Sequence, residues 1–279
     1  MKKVLVIAAA GLASFAVSTT AFAGDFDPWF AASRAGGFID VWPAEDLTAV
    51  MFGAELQFHL RKSVYLDVSV SGAVAENFFT SREVRFAYGN PTIGAHYAGQ
   101  VTRNFHFFVG GTFTLPFLHD PDVDVVGAAY YPSLMRGFYD YDRFAVGSMA
   151  LRAMGGFEWN FIEPFSLRAE LRPVIHIRTR DTFGTPLADD AELFIEHAAE
   201  FEGRFNNGFG LGARIQAVGV VTEGGDQAQV MFEPFLALTP KKRGFYMKLG
   251  FPLALDQPLG FGLDRDKLAT GRIALGGQW

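Results

Sequence analysis

The chain has 279 residues, a net charge of −6, no cysteine, and unusually many phenylalanine and glycine residues, 30 and 31 respectively. The absence of cysteine excludes disulfides, thiol catalysis and thiolate metal sites. The acidic balance argues against nucleic acid as a partner, because no excess of lysine and arginine is available to neutralise phosphates.

The first 23 residues have the pattern of a secretory signal peptide. A basic start, Met1-Lys2-Lys3, precedes an apolar stretch over residues 4–17 and a small-residue cleavage motif, Ala21-Phe22-Ala23. The apolar stretch is too short for a typical membrane helix, and no uncharged apolar run of about 18 residues follows it. We therefore expect residues 1–23 to be removed and residues 24–279 to form one domain without membrane helices.

The mature part alternates apolar and polar residues, which is the spacing of a β-strand. In residues 49–60, for example, Phe52 and Leu56 share one face and Glu55 lies on the other. The pattern predicts twelve strands: 29–40, 49–60, 64–77, 91–101, 105–118, 144–161, 165–180, 192–204, 209–221, 227–239, 245–256 and 268–279. Short turns follow the even-numbered strands, and longer connections follow the odd-numbered ones. Four prolines inside these strands predict bulges or kinks: Pro116, Pro173, Pro234 and Pro252.

The last predicted strand ends the chain on an aromatic residue. Ile273, Leu275 and Trp279 share its apolar face, whereas Arg272 lies on the other face. This ending resembles the C-terminal assembly signal of Gram-negative outer-membrane β-barrels. The resemblance implies that Trp279 is the assembly signal, read by the barrel-assembly machinery, and that outer-membrane lipid surrounds the protein.

An even number of strands, with connections alternately short and long, is typical of such barrels. We therefore expect an all-β fold, namely a transmembrane antiparallel up-and-down barrel of about twelve strands in the outer membrane of a Gram-negative bacterium. The alternative is a secreted β-sandwich or lipocalin-like barrel. It is disfavoured because the predicted strands exceed the usual length of about 5–6 residues and carry a continuous charged face.

If the apolar face meets lipid, the charged face lines the lumen. The candidate lumen residues are Arg168, Arg172, His176, Arg178, Arg180, Glu196, Glu200, Glu202, Arg214, Lys248 and Arg272. These side chains could pair across adjacent strands, with Arg172 opposite Glu200 and His176 opposite Glu196. They could instead set an electric field across a narrow pore.

The sequence leaves three functions open. The first is a narrow pore for passive or weakly selective passage of small hydrophilic solutes. The second is a non-conducting structural or surface-recognition barrel that acts through its extracellular loops, above all the Tyr- and Asp-rich connection 119–143. The third is an outer-membrane hydrolase. Outer-membrane phospholipases share the twelve-strand form but carry a His-x-Ser-Asn-Gly motif, which none of the six histidines matches. We therefore assign no catalytic residue.

One acidic run has carboxylates at a spacing that could bind a metal ion. Asp120, Asp122 and Asp124 could offer oxygen ligands to Ca²⁺, but the glycine and distal glutamate of a Ca²⁺ loop are missing. We expect a solvated acidic loop, and the sequence predicts neither a metal nor a cofactor.

Overall fold

The computed structural model describes residues 28–43, 48–76, 84–118, 123–180, 190–205, 207–221, 228–255 and 270–279. The predicted signal peptide lies outside these ranges. The strands are β1 Arg34–Pro43, β2 Thr48–Arg61, β3 Val64–Glu76, β4 Val84–Tyr88, β5 Thr92–Thr102, β6 Phe105–Thr114, β7 Ser148–Ile162, β8 Phe165–Arg178, β9 Ala191–Arg204, β10 Phe209–Val220, β11 Ala228–Leu238, β12 Gly244–Gly250, β13 Leu253–Ala254 and β14 Gly271–Gln278. A helix, α1, spans Val123–Met135, and a 3₁₀ turn spans Tyr141–Arg143.

The strands form one antiparallel sheet that closes on itself. β1 pairs with β14, from Arg34 opposite Gln278 to Val41 opposite Gly271. β4 and β5 both pair with β3, and β12 and β13 both pair with β11. β4 and β5 therefore share one position in the ring, and so do β12 and β13. The fourteen strands thus make a closed barrel of twelve positions. The predicted fold class is confirmed.

The barrel carries its apolar side chains on the outside. Large hydrophobic residues are exposed at alternate positions, among them Leu171 and Ile175 on β8 and Ile215 on β10. Their inward neighbours His176 and Gln216 are buried. This distribution is the reverse of a soluble barrel and is typical of strands that face lipid. Within the described ranges, no helix is long and apolar enough to cross a membrane.

The register is continuous through the prolines that were predicted to disturb it. Pro173 and Pro234 pair with Ile195 and Ala213 without a shift, and Pro116 lies beyond the end of β6. Pro252 separates β12 from β13, but both strands keep the same register against β11. A missing N–H donor thus interrupts the ladder locally and does not displace it.

The register shifts that do occur lie near the short turns. They fall between His59 and Arg61, between Gln100 and Thr102, and between Trp159 and Ile162.

Two segments differ from the sequence prediction because they fold into the lumen. The first predicted strand was expected to begin at Trp29, but β1 begins at Arg34, and residues 28–33 turn inside the barrel. The connection 119–143 was expected to be an extracellular loop. Its described part instead contains α1, and residues 131–147 are almost entirely buried. The last four of these were predicted to begin the strand 144–161, but β7 begins at Ser148. We call residues 131–147 the inner loop and residues 28–33 the N-terminal segment.

The outward face of β10 offers a test of which surface meets lipid. Replacing Ile215, near the middle of the strand, by arginine should reduce the free energy of unfolding in lipid vesicles by about 2–4 kcal/mol, because arginine is costly at the bilayer midplane. Leu211 lies on the same face, nearer the strand end. Leu211→Arg should cost only ~0–1 kcal/mol. Equal costs in urea titrations would contradict the assigned lipid-facing surface.

Candidate functional site

A row of alternating charges crosses the inner wall. Glu158 lies opposite Arg168, Arg168 opposite Glu200, Glu200 opposite Arg214, and Arg214 opposite Glu233, so that β7 to β11 contribute one residue each. Arg168 Nε lies 2.7 Å from Glu158 Oε2, and Arg168 Nη1 lies 2.6 Å from Glu200 Oε1. We call these five residues the ionic row. Its alternation gives each buried carboxylate at least one cationic neighbour.

Further cations complete the row. Lys248 Nζ lies 2.7 Å from Glu200 Oε2. Arg272 binds Glu233 at 2.8 Å and Asp40 at 3.0 Å, which joins the row to β1 on the other side of the barrel seam. Arg214 also donates a hydrogen bond to Glu170, which lies on β8 two residues beyond Arg168.

Glu202 belongs to the same network. It accepts from Arg168 at 3.0 Å and from Arg204 at 2.8 Å. The network thus extends toward the end of the barrel that carries the short turns.

The pairing predicted for Arg172 was wrong by four residues. Arg172 lies opposite Glu196, and Arg168 lies opposite Glu200. The physical reason is that the connection 179–190 is too long to fix which residues of β8 and β9 lie opposite each other, and both alignments pair arginine with glutamate. Arg172 itself binds Glu170 at 2.7 Å.

Three of the predicted lumen residues lie at or beyond the C-terminal end of β8, and their surroundings differ from one another. His176 lies opposite Glu192 and not opposite Glu196 as predicted, and its buried ring packs on Tyr141 and Phe194 with centroids 5.2 and 4.5 Å away. Arg178 is the last, half-buried residue of β8. Arg180 was predicted to line the lumen, but it lies beyond the strand and is exposed. Side chains alternate between lumen and lipid only within the strand, so Arg180, beyond its end, does not have to face the lumen.

The inner loop is attached to the barrel wall by ion pairs on both sides. Arg136 Nε lies 2.8 Å from Asp40 Oδ2 on β1, and Arg143 Nη2 lies 2.7 Å from Glu55 Oε1 on β2. Opposite them, the hydroxyl of Tyr139 donates to Glu170 Oε1 on β8 at 2.7 Å. The loop therefore spans the lumen.

Asp140 forms the centre of this attachment. Its carboxylate lies within 3.1 to 3.6 Å of four arginines: Arg136, Arg143, Arg152 and Arg172. Its backbone N–H donates to Glu196 Oε1 at 2.9 Å. Burial alone would raise the pKa of Asp140, but the four guanidinium groups outweigh burial and hold the pKa well below its ordinary value. Asp140 therefore stays ionised.

The tip of the inner loop has an unusual backbone. Gly137, Phe138 and Asp140 all have φ near +60°. A side chain at position 137 would collide with Met231 on β11, so glycine is required there both for its conformation and for its close approach to the wall.

The N-terminal segment occupies the short-turn end of the lumen. His96 lies 2.6 Å from Asp67 Oδ2 through Nδ1 and 2.7 Å from the Phe30 carbonyl through Nε2. Tyr65 donates to the Ala31 carbonyl at 3.0 Å. His96 thus ties the N-terminal segment to the wall through both of its ring nitrogens.

Trp279 is half-exposed at the same end, and its backbone N–H donates to the Ser33 carbonyl at 3.0 Å. Its role as an assembly signal stays a prediction.

A cavity of about 400 Å³ is bordered by the inner loop, the N-terminal segment and the ionic row. Tyr139 and Asp140 border it from the loop, and Trp29 and Phe30 from the N-terminal segment. Arg168, Glu200 and Arg214 border it from the wall, together with the predicted lumen residues Arg172, Glu202, Lys248 and Arg272.

Sequence reasoning missed the contribution of the inner loop. Arg136, Asp140 and Arg143 were assigned to the extracellular connection 119–143, and Arg152 was not among the candidate lumen residues. A usable sign was the mixture of arginine, aspartate and aromatic residues within 136–144, which suits a buried, charge-paired segment better than a solvated loop. In the described ranges, no group of His, Asp or Glu suited to hold a metal ion occurs. The side chains of the acidic run 120–124 lie outside the described residues.

Comparisons with known proteins identify a fold and no closer relative. No family model matches the sequence, and no curated protein matches it. An outer-membrane channel from Pseudomonas putida F1 superposes with a TM-score of 0.61 at 10% identity, covering 93% of this chain and 100% of that one. The chain has the fold of an outer-membrane β-barrel. Together with the lipid-facing exterior, this fold is that of Gram-negative outer-membrane barrels, in which the short turns face the periplasm.

Two other solved structures resemble the chain less. The NanC porin gives a TM-score of 0.49 at 8% identity, over 89% of this chain and 99% of that one. LpxR from Salmonella typhimurium gives 0.43 at 8% identity, over 87% and 99%.

The ionic row can be tested by removing one cation. Arg168→Met should lower the free energy of unfolding by about 3 kcal/mol, because Glu158, Glu200 and Glu202 each lose a cationic partner in a buried site. Arg180→Met is the control, since Arg180 is exposed beyond β8, and it should change stability by less than about 0.5 kcal/mol. Denaturant titration of the detergent-solubilised barrel measures both. Similar stabilities for the two variants would show that the row is not needed.

The attachment of the inner loop can be tested at Asp140. Asp140→Asn leaves four arginines without their common anion, so we expect lower stability and trypsin cleavage at Arg136 or Arg143 in an otherwise folded barrel. Asp190→Asn, at an exposed position, is the control.

The pH dependence follows from the depressed pKa of Asp140. A carboxylate of this kind contributes its full stability above the unfolded pKa of about 3.9 and loses it as the pH falls through the lower folded value. The stability difference between wild type and Asp140→Asn should therefore still be present at about pH 5 and shrink below about pH 4. A difference that already disappears near neutrality would contradict the assigned ionisation.

Proposed function

We propose that this protein is a narrow outer-membrane channel for small hydrophilic solutes. The observation that carries the proposal is the charged cavity of about 400 Å³ inside a barrel with a lipid-facing exterior. A barrel that served only as an anchor would not need polar space in its lumen. A solved structure of the same fold is an outer-membrane channel, which supports the proposal by fold-level analogy.

The inserted segments make such a channel narrow. Twelve strands enclose more space than the filled eight-stranded barrels and less than the open 16–18-stranded porins. The inner loop and the N-terminal segment occupy part of that space. A permeating solute has to move past Tyr139 and Asp140 and then along the ionic row. Charges in this confined, poorly screened space act strongly on any ion that enters.

The second candidate is a non-conducting structural barrel. It is favoured by the ion pairs from Arg136 to Asp40 and from Arg143 to Glu55, which hold the inner loop across the lumen. Surface recognition through the connection 119–143 is less well supported, because the inner loop places Tyr131 and Tyr139 inside the barrel. A lipid hydrolase is the third candidate, although the sequence lacks the His-x-Ser-Asn-Gly motif.

Planar-bilayer recording tests the proposal. The refolded barrel, verified by its heat-modifiable migration, should give small, uniform conductance steps. Asp140→Asn should give larger or more frequently interrupted steps, because the inner loop is less firmly held. A change of current with this one substitution would attribute the current to the lumen of this protein and not to a contaminating porin.

The competing functions predict other results. A folded barrel that inserts into the bilayer but gives no current, in either variant, would contradict the channel and favour the structural role. Release of fatty acid from phospholipid vesicles by the purified protein would favour the hydrolase.

A further inference from the structure

We infer that the cavity is a binding site for small organic anions with an apolar body, such as aromatic carboxylates. This inference rests on the proposed channel function and names the class of solute. It follows from which charged atoms reach the cavity surface and from what lies beside them.

The charges that reach the cavity on the β8 to β12 wall are mainly cationic. Arg168, Arg172 and Arg214 side chains are each 20% exposed, and Lys248 is 24% exposed. The carboxylates of the ionic row lie behind them: Glu158 and Glu233 are 0% and 1% exposed, and Glu200 is 6% exposed. A solute on this wall therefore meets guanidinium and ammonium groups before it meets a carboxylate of the ionic row. Glu170 on β8 is 14% exposed, and both Arg172 and Arg214 bind it. We call Arg168, Arg172, Arg214 and Lys248 the cationic patch.

The two most exposed acidic side chains around the cavity stand on other strands. Glu55 on β2 is 50% exposed and Asp67 on β3 is 24% exposed. Glu55 binds Arg143, and Asp67 is hydrogen-bonded to His96, so both already have a partner. Over the whole cavity surface, nine arginine and lysine residues face seven aspartate and glutamate residues. This excess favours an anion over a cation.

Aromatic faces lie directly beside the cationic patch. The guanidinium groups of Arg172 and Arg214 lie 5.0 and 5.1 Å from the ring centre of Tyr139. The Lys248 ammonium lies 3.8 Å from the ring centre of Phe235.

Apolar surface continues along the rest of the cavity through Phe108 and Met154. A solute with a carboxylate at one end and an apolar body at the other would match both kinds of surface. The cavity volume lies within the ~300–1,000 Å³ of typical small-molecule sites.

Lys248 is the position at which the inference can be tested without dismantling the ionic row. Glu200 also has Arg168 at 2.6 Å and Arg214 at 3.9 Å, so it keeps cationic partners when Lys248 is replaced. Lys248→Met retains most of the apolar stem above Phe235. Lys248→Arg restores the charge. Lys242→Met makes the same chemical change at an exposed position in the turn before β12.

The experiment compares three probes of similar shape: benzoate, neutral benzamide and cationic benzylammonium. Calorimetric titration of the wild-type protein in detergent should show benzoate binding more tightly than either of the other two. Lys248→Met should weaken benzoate binding about fivefold, as expected for one partly exposed ion pair. Lys248→Arg and Lys242→Met should leave benzoate binding near the wild-type value. Retention of heat-modifiable migration verifies that each variant is folded.

Bilayer recording of the same samples separates the two proposals. A channel that conducts but binds the three probes equally would overturn the anion site and leave the channel function standing. Benzoate binding that depends on Lys248, in a protein that conducts nothing, would support the site and overturn the channel. Equal weakening of benzoate binding in Lys248→Met and Lys242→Met would also overturn the site, because the effect would then not come from the cavity.

Discussion

Ionised side chains can be buried inside a narrow barrel only if each one has a partner, because an unpaired charge in a low-dielectric interior costs several kcal/mol. The ionic row satisfies this condition with one residue from each of five neighbouring strands, from Glu158 to Glu233. A slip of one residue between two of these strands would turn charges toward lipid. The same pairing therefore determines both the strand register and the chemistry of the lumen.

The inner loop depends on the same condition. Arg152 and Arg172 project into the lumen from β7 and β8, and Asp140 brings the negative charge that both of them bind. In return, the wall supplies Asp40 and Glu55 for the arginines of the loop. The loop and the wall thus neutralise each other. The cavity is the space that these ion pairs leave open, and the cationic patch is the part of the charged wall that stays partly exposed to it.

The strands could be predicted from the sequence because their alternation is a local property. The predicted strand 49–60, for example, is β2, Thr48–Arg61. The inner loop could not be predicted in this way, because it has no regular period and is held by partners as distant as Arg136 and Asp40. The N-terminal segment was misassigned since Trp29 and Phe30 continue an apolar pattern that does not reveal whether they face lipid or lumen. Long connections left the register of β8 against β9 undetermined for the same reason.

Because β1 pairs with β14 to close the barrel, some ionic contacts can form before closure and others only with it. The ionic row lies within β7 to β11, a continuous stretch of chain, so its pairs need only that stretch to be folded. Arg272 lies on the last strand and reaches Asp40 on the first. That contact requires the ring to be closed. Before closure Asp40 has only Arg136 of the inner loop, so the loop can hold the first strand in place until the last one pairs with it.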